Sequence, residues 1–246
     1  PASMRTFVVV PILLGSDESI AEQVHQLETR HLSSGPGEIY FALLTDWPDA
    51  DSEQMPDDLR QYEYAVAAIG KLNSRYRSGA DDTSVSQPRF YLFHRRRLWN
   101  PAQSRWMGWE RKRGKLQEFN RLLRNPEETA FRVRVGELSI LPSVRYVLTL
   151  DTDTRLPRGA ARTLIGIACH PLNRPHVDPV SRRVTEGFGV LQPRVRPWPG
   201  GSFSRTKPAG VSRYRTVARC IASSRPKERA CRRSPMRPGS RSRGSC

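Results

Sequence analysis

Apolar positions in the first 200 residues alternate between unbroken, strand-like runs and runs with helical spacing. The run at 6–13 is continuously apolar and rich in β-branched residues, which predicts a strand buried on both faces. Ser16 or Asp17 is placed to cap a helix directly after it, and the glycines at 35 and 37 would end that helix. Helical spacing puts four of its residues on one buried face: Ile20, Val24, Leu27 and His31.

The same alternation continues along the chain and predicts the remaining elements. Further strands are predicted at 38–44, 89–94, 143–150 and 187–192. Further helices are predicted from about 57, over 110–124, and from Pro157 to about 168. In the helix from about 57, the stripe of Leu59, Tyr62, Val66, Ile69 and Leu72 is predicted to be buried. Repeated β-α alternation indicates an α/β fold, with a mostly parallel sheet and helices on both faces.

The net charge of +17 is concentrated at one end of the chain. Residues 202–246 contain 13 Lys and Arg but one acid, Glu228, whereas the first 201 residues carry only +5. We therefore predict a folded domain over residues 1–200 and a basic, low-complexity tail over 201–246 that is expected to be disordered. Its mixture of Arg, Ser, Pro and Cys is also typical of GC-rich DNA translated out of frame, which is the interpretation we favour over a natural basic tail.

Few features of the sequence indicate a membrane or an oxidising compartment. No apolar run approaches the roughly 18 to 20 residues of a membrane span, and the first residues do not resemble a signal peptide. Cys169 is the one cysteine before the tail, so neither a disulfide framework nor a zinc site is predicted. We expect this part of the protein to be soluble and to reside in a reducing, cytoplasmic setting.

Two carboxylates end the strand predicted at 143–150. Asp151 and Asp153 follow it directly, and ligands of open α/β sheets bind outside the carboxyl ends of the strands. Two neighbouring acids repel each other unless a cation or protons intervene. Mg²⁺ and Mn²⁺ prefer hard oxygen ligands, and Mg²⁺ commonly takes one or two carboxylates together with substrate phosphates. The pair predicts a divalent-metal and diphosphate site; the alternative is a solvated turn or a cap of the next helix.

Two other segments are candidates for the same site. Asp46 follows the second predicted strand and could accept hydrogen bonds from a base or ribose, although an Asx-turn explains it equally well. In the basic run at 110–120, Gly114 allows close approach to a ligand, and Arg113 and Lys115 could neutralise phosphate oxygens. An ordinary solvated basic face is the alternative for that run.

The remaining candidates are less specific. Two glycines flank an aromatic at 186–194, which suggests a strand edge near a sugar or acceptor, or simply a bend. Trp99, Trp106 and Trp109 fall in a polar loop region, where exposed indoles would suit sugar stacking or would cover the sheet. His94 lies among arginines with no ligand-like partner and receives no role.

Taken in order, these segments resemble the glycosyltransferase segment of bacterial cyclic β-1,2-glucan synthases, a GT-A-type segment of glycosyltransferase family 84. The resemblance covers about residues 6–196. It is carried by VVVP at 8–11, LTD at 44–46, ERKRGKLQEFN at 110–120, YVLTLDTD at 146–153, HPLNRP at 170–175 and the run at 186–195.

The resemblance implies a GT-A-like nucleotide-diphospho-sugar fold that uses UDP-glucose with Mg²⁺ or Mn²⁺ and transfers glucose with inversion to a glucan acceptor. Asp151 and Asp153 would hold the metal and the diphosphate. Asp46 would contact the uridine, and Arg113, Gly114 and Lys115 would lie by the diphosphate. The parent would be a very large inner-membrane synthase with this segment on its cytoplasmic face.

The family pattern stops past about Arg196, where inverting GT-A enzymes usually supply the base that deprotonates the acceptor. The fold is therefore predicted to be incomplete at its C-terminus and the chain to be weak or inactive alone, since a general base typically contributes 10²–10⁴-fold in rate. Another β-glycan synthase of the same broad fold is the alternative. A nucleic-acid-binding protein is a less favoured one, because the first 201 residues carry only +5 of the net charge and their basic residues are interspersed with acids.

Overall fold

A computed structural model describes residues 2–77, 88–125 and 129–193 of the chain. The basic tail predicted at 201–246 lies outside these residues, as does nearly all of the loop predicted at 77–87. Arg77 itself ends a helix. None of the helices in the described ranges is long and apolar enough to cross a membrane.

The described residues form nine strands and four α-helices. The strands are β1 (Thr6–Leu13), β2 (Ile39–Asp46), β3 (Phe90–Arg95), β4 (Leu98–Asn100), β5 (Arg105–Met107), β6 (Phe131–Val135), β7 (Tyr146–Thr149), β8 (His176–Val177) and β9 (Val184–Glu186). The helices are α1 (Asp17–Ser34), α2 (Asp58–Arg77), α3 (Arg111–Leu122) and α4 (Ala160–Cys169). Short 3-10 helices occupy Ala2–Met4, Leu138–Ser143 and Pro171–Asn173.

Within the described ranges, five strands make the central sheet, in the order β6-β3-β2-β1-β7. β3, β2, β1 and β7 run parallel, and β6 adds an antiparallel edge. The mostly parallel α/β arrangement predicted from the sequence is therefore confirmed. The edge strand β6 was not predicted.

Alternate residues of each central strand enter different cores on the two faces of the sheet. In β1, Val8, Val10 and Ile12 join α1, α2 and α4 on one face, whereas Phe7 and Val9 join α3 on the other. All of these side chains are nearly inaccessible to solvent. Burial on both faces explains why the strands are continuously apolar, and it confirms helices on both faces.

Helix α1 begins and ends where the sequence predicts. The Ser16 hydroxyl accepts a hydrogen bond from the backbone N–H of Ser19 at 3.4 Å, and Gly35 ends the helix with φ of 70°. Its innermost residues are Ile20, Leu27, Arg30 and Ser34. An arginine on this buried face was not predicted.

Three local expectations were wrong. Residues 187–192 are not a strand: Gly187 turns the chain with φ of 71°, and Phe188 and Val190 are about half exposed, with no strand beside them in the described residues. The polar region around Trp99 and Trp106 is the β4–β5 hairpin rather than a loop. Leu59 is 66% exposed because it lies before the segment of α2 that packs on the sheet.

The order of the parallel strands defines a switch point between β1 and β7. The chain moves outward from β1 to β2 and β3, and later returns to add β7 on the opposite side of β1. Ligands of open α/β sheets bind outside the carboxyl ends of the strands at such a point. β7 ends at Thr149, two residues before Asp151.

The start of β3 depends on a buried amide from α2. The side chain of Asn73 donates to the Phe90 carbonyl at 2.8 Å and accepts from the N–H groups of Phe90 and Arg89 at 3.0 and 3.1 Å. Pairing of β3 with β6 covers only Leu92 onward, so Asn73 satisfies backbone groups that β6 does not reach.

We expect Asn73→Ala to lower the free energy of unfolding by about 2–3 kcal/mol, because it leaves buried backbone groups without partners. Urea denaturation followed by circular dichroism measures the change. Ser74→Ala, an exposed substitution on the same helix, should shift the midpoint far less. Equal shifts for the two variants would contradict this role of Asn73.

Candidate functional site

Asp151 and Asp153 lie at the rim of the sheet, just beyond the carboxyl end of β7 and beside β1. The last paired residues of these strands are Val9 and Thr149, after which β1 continues to Leu13. The Asp151 side chain is 28% exposed and Asp153 is exposed. Both carboxylates can therefore be reached from solvent at the carboxyl edge of the sheet.

The loop that carries the two acids is held from beneath by Arg30 of α1. One terminal nitrogen, Nη2, donates to the backbone carbonyls of Asp151, Thr152 and Thr154 at 3.3, 2.8 and 3.2 Å. The N–H of Thr154 also donates to the Asp151 carbonyl at 3.1 Å, which closes a tight turn. The guanidinium and this turn together fix the path of the backbone between the acids.

Arg30 is only 2% exposed, and its Nε and Nη1 have no hydrogen-bond partner. Burial lowers the pKa of its guanidinium to about 10, while the negative charge of Asp153 opposes that shift. Sequence reasoning missed this residue. The available signal was a charged side chain at a position where the spacing of Ile20 and Leu27 calls for an apolar one.

A lysine also contacts the acidic pair from the opposite face of the sheet. The Lys112 ammonium, in the first turn of α3, forms an ion pair with the Asp151 carboxylate. The premise that the two acids need a metal or protons to coexist is therefore too strong, because the protein supplies Lys112 and Arg30 as nearby positive charges. Lys112 belongs to the basic run at 110–120, but sequence reasoning gave it no role.

The three residues predicted from that run take different positions. Arg113 is 82% exposed on its side chain and lies 3.9 Å from Glu110. Gly114 faces the chain rather than open space, since a Cβ there would lie 2.0 Å from the Trp109 carbonyl oxygen. Lys115 is 2% exposed and donates to the Ile12 carbonyl at the end of β1.

Asp46, the last residue of β2, lies with Lys115 in a buried ionic cluster. Its two carboxylate oxygens accept from Nε and Nη2 of Arg95 at 2.7 and 2.8 Å, and the Lys115 ammonium lies 3.1 Å away. Asp46 is 1% exposed, and Arg95 also contacts Glu118 at 3.4 Å. Burial lowers the pKa of Lys115 to about 8, which the Asp46 charge partly opposes.

The chain before α3 is shaped around this cluster. A Cβ on Gly108 would lie 2.6 Å from an Asp46 oxygen and 3.0 Å from Arg95 Nη2, so only glycine fits there without displacing the pair. Glu110 and Arg111 then adopt left-handed conformations, with φ of 50° and 46°. Such strain in non-glycine residues persists only where surrounding contacts impose it.

The structure thus divides the predicted residues into two groups. Asp151 and Asp153 lie at the open rim, whereas Asp46 and Lys115 are paired below it; Arg113 and Gly114 contact neither pair in the described structure. Helix α3 connects the groups, because Lys112 contacts the rim and Lys115, one turn later, contacts the buried cluster. The donor contacts predicted for Asp46, Arg113, Gly114 and Lys115 stay predictions.

The acids at the rim fit a divalent ion that is held jointly with phosphates. Among the described residues, no group of three or more His, Cys, Asp or Glu side chains is placed to hold a metal. Asp151 and Asp153 therefore offer two carboxylates rather than a complete protein cage. This number suits Mg²⁺, which commonly takes one or two carboxylates and completes its shell with phosphate and water.

His94 of β3 is buried in an aromatic environment. Its Nδ1 lies 2.8 Å from Thr45 Oγ1, which itself donates to the Phe93 carbonyl, and its Nε2 has no partner. The ring contacts Trp47 and Tyr62, with centroids 4.4 and 5.2 Å away. Burial lowers the pKa of His94 to about 3, so the ring is neutral at pH 7 and is a core residue rather than a ligand.

The tryptophans form part of the hairpin surface. Trp99 and Trp106 lie opposite each other across β4 and β5 with ring centroids 5.9 Å apart, and Trp99 is 49% exposed. Backbone hydrogen bonds between Trp106 and Ala50 attach the hairpin to the segment after β2. Trp109 is 41% exposed.

We expect Asp46→Asn to lower the free energy of unfolding by about 3–5 kcal/mol, because it leaves two buried cations without their counter-charge. Chemical denaturation of Asp46→Asn, Lys115→Met and the double variant gives the coupling between them. Lys115→Met should cost less when it is combined with Asp46→Asn than alone. Strictly additive losses would show that the two charges do not depend on each other.

We expect the stability of the protein to fall as pH falls from 6.5 towards 3, because His94 takes up a proton in the unfolded chain but not in the folded one. This group alone contributes about 1.4 kcal/mol per pH unit in that window. Urea midpoints at several pH values should show a smaller slope for His94→Phe. His25→Phe, a substitution of an exposed histidine, should keep the original slope, and an unchanged slope in His94→Phe would refute the assignment.

Comparison with known proteins gives one informative match. No protein-family model matches the chain. Over 197 residues, or 80% of its length, it is 48% identical to cyclic beta-(1,2)-glucan synthase NdvB of Rhizobium meliloti (strain 1021). The chain spans 7% of the length of that relative. This chain is therefore homologous to one segment of a much larger cyclic β-(1,2)-glucan synthase.

Proposed function

We propose that this chain is the donor-binding part of a GT-A-type glycosyltransferase of family 84, which holds UDP-glucose through Mg²⁺ or Mn²⁺ at Asp151 and Asp153. One observation carries the proposal: two accessible carboxylates end β7 at the switch point of a parallel sheet, in a homologue of a glucan synthase. Open α/β sheets bind their ligands at this position.

The proposed donor comes from the family resemblance and suits the product that names the relative. A glucan is built from glucose units. UDP-glucose would supply glucose together with a diphosphate leaving group. A divalent ion, when bound, would neutralise charge on the departing diphosphate. In this proposal, Asp151 and Asp153 would share such an ion with the phosphates.

The roles proposed for the neighbouring residues depend on how exposed each of them is. Lys112 already contacts Asp151, so among the basic residues of α3 it is the one best placed for the diphosphate, with Arg113 one residue further along the exposed surface. Asp46 and Lys115 are too buried to be reached without local opening, and we propose that they brace the ends of β1 and β2. Gly114 permits the close approach of the Trp109 backbone to α3.

For the whole synthase we propose transfer of glucose with inversion to a glucan acceptor, forming β-1,2 linkages on the cytoplasmic face of the inner membrane. The matched relative is named for that product. In this proposal, the chain contributes donor binding, and the remainder of the large membrane-bound protein contributes acceptor binding and cyclisation.

We expect the chain to bind UDP-glucose in the presence of Mn²⁺ and Asp153→Ala to bind it at least tenfold more weakly, since one of two carboxylate ligands is lost. Isothermal titration calorimetry with and without Mn²⁺ measures both effects. Asp51→Ala, which removes a carboxylate that is 87% exposed and pairs with Arg105 rather than with a residue of the acidic loop, is the matched control.

The same titration identifies the donor class. UDP-glucose should bind more tightly than GDP-mannose or UDP-N-acetylglucosamine; a preference for one of these would indicate a different β-glycan synthase. Affinity for UDP-glucose that ignores both Mn²⁺ and the loss of Asp153 would overturn the proposed metal site.

A further inference from the structure

Arg30 supports the loop that carries Asp151 and Asp153, and the proposed function gives Arg30 no role. Arg30 reaches it from α1, and a single nitrogen donates to three successive parts of the loop, at the carbonyls of Asp151, Thr152 and Thr154. The contact joins residues more than 120 positions apart in the chain. Its effect is to fix the backbone on both sides of Thr152.

This arrangement is poorly suited to stabilising the fold. Arg30 is 2% exposed, yet Nε and Nη1 have no hydrogen-bond partner, and its side chain has no ion-pair partner at contact distance among the described residues. Burying a charged group without full pairing is costly. A costly group that persists beside a candidate site suggests a functional constraint.

The electrostatics of the loop also favour a role in ligand binding. Asp153 lies close enough for its charge to act on the guanidinium. The Lys112 ammonium pairs with Asp151 from the other face of the sheet. Arg30 therefore offsets charge on the acidic loop while its guanidinium is bonded to backbone carbonyls rather than to either carboxylate.

We propose that Arg30 is a positioning residue, which holds the Asp151–Asp153 loop in the shape that binds a divalent cation together with a diphosphate. The inference rests on the proposed function for its ligand, but the restraint on the loop is a property of the chain itself. Groups that orient metal ligands in this way typically change metal affinity by 10–100-fold when they are removed.

Arg30→Met is the decisive variant, because methionine is unbranched and flexible and fills most of the buried space without a charge. Mn²⁺ binding in the presence of UDP, measured from the electron paramagnetic resonance signal of free Mn²⁺, should weaken at least tenfold. The urea midpoint should change little, because the loop at 151–154 is partly exposed and water can replace the lost donor there. Arg30→Lys, which keeps three donors on a shorter side chain, should recover part of the Mn²⁺ affinity.

Arg60→Met is the matched control, since Arg60 is an exposed arginine that pairs with Asp17 across two helices. It should leave Mn²⁺ binding unchanged. Two results would overturn the proposal: Arg30→Met that binds Mn²⁺ as tightly as the original protein, or a large loss of stability in Arg30→Met that makes Arg30 an ordinary structural residue.

Hydrogen exchange separates this inference from the proposed function. The Thr154 amide, which donates within the loop, should exchange at least tenfold faster in Arg30→Met, while amides of β7 stay protected. If the original protein fails to bind Mn²⁺ and UDP, the proposed function is wrong. Unchanged exchange at Thr154 shows that Arg30 does not hold the loop, whatever the ligand.

Discussion

The structure depends on how charge is compensated at the carboxyl edge of a parallel sheet. Asp46 and Asp151 end two strands that lie on either side of β1, at the edge where all the parallel strands stop. Each meets a cation of the protein: Asp46 is enclosed by Arg95 and Lys115, and Asp151 is met by Lys112. The two arrangements differ in their exposure to solvent: Asp46 is buried, whereas Asp151 is partly exposed. Only an open carboxylate can exchange its partner for a ligand.

Most of the helices and strands could be predicted, because the spacing of apolar residues shows which positions are buried. β1 was predicted with its correct bounds, since a strand covered on both faces must be apolar throughout. The edge strand β6 was harder to predict. Arginine alternates with apolar residues along it, and its pairing with β3 joins segments that are far apart in the chain. The segment at 187–192 misled because its aromatic and β-branched residues suit a strand, whereas Gly187 turns the chain and no described strand lies beside the segment.

In the candidate site, too, some features could be predicted from local sequence and others depend on residues distant in the chain. Asp151 and Asp153 could be located from the strand before them, because topology alone carries the end of β7 to a switch point. The partners of each charge could not be found in that way. Lys112 and Lys115 look equivalent in the basic run, yet one turn of helix separates a solvent-facing contact from a buried one. Arg30 could have been noticed as a charge on an apolar stripe, but its three acceptors are set by tertiary structure.

Helix α3 links the two sides of the switch point through one element. Its apolar side packs under the sheet through Phe119 and Leu122, while Lys112 and, one turn later, Lys115 contact the acids that follow β7 and end β2. The apolar residues beneath the sheet therefore help to place both lysines, although neither lysine belongs to that core. A change in the packing of α3 would consequently reach both acids at once.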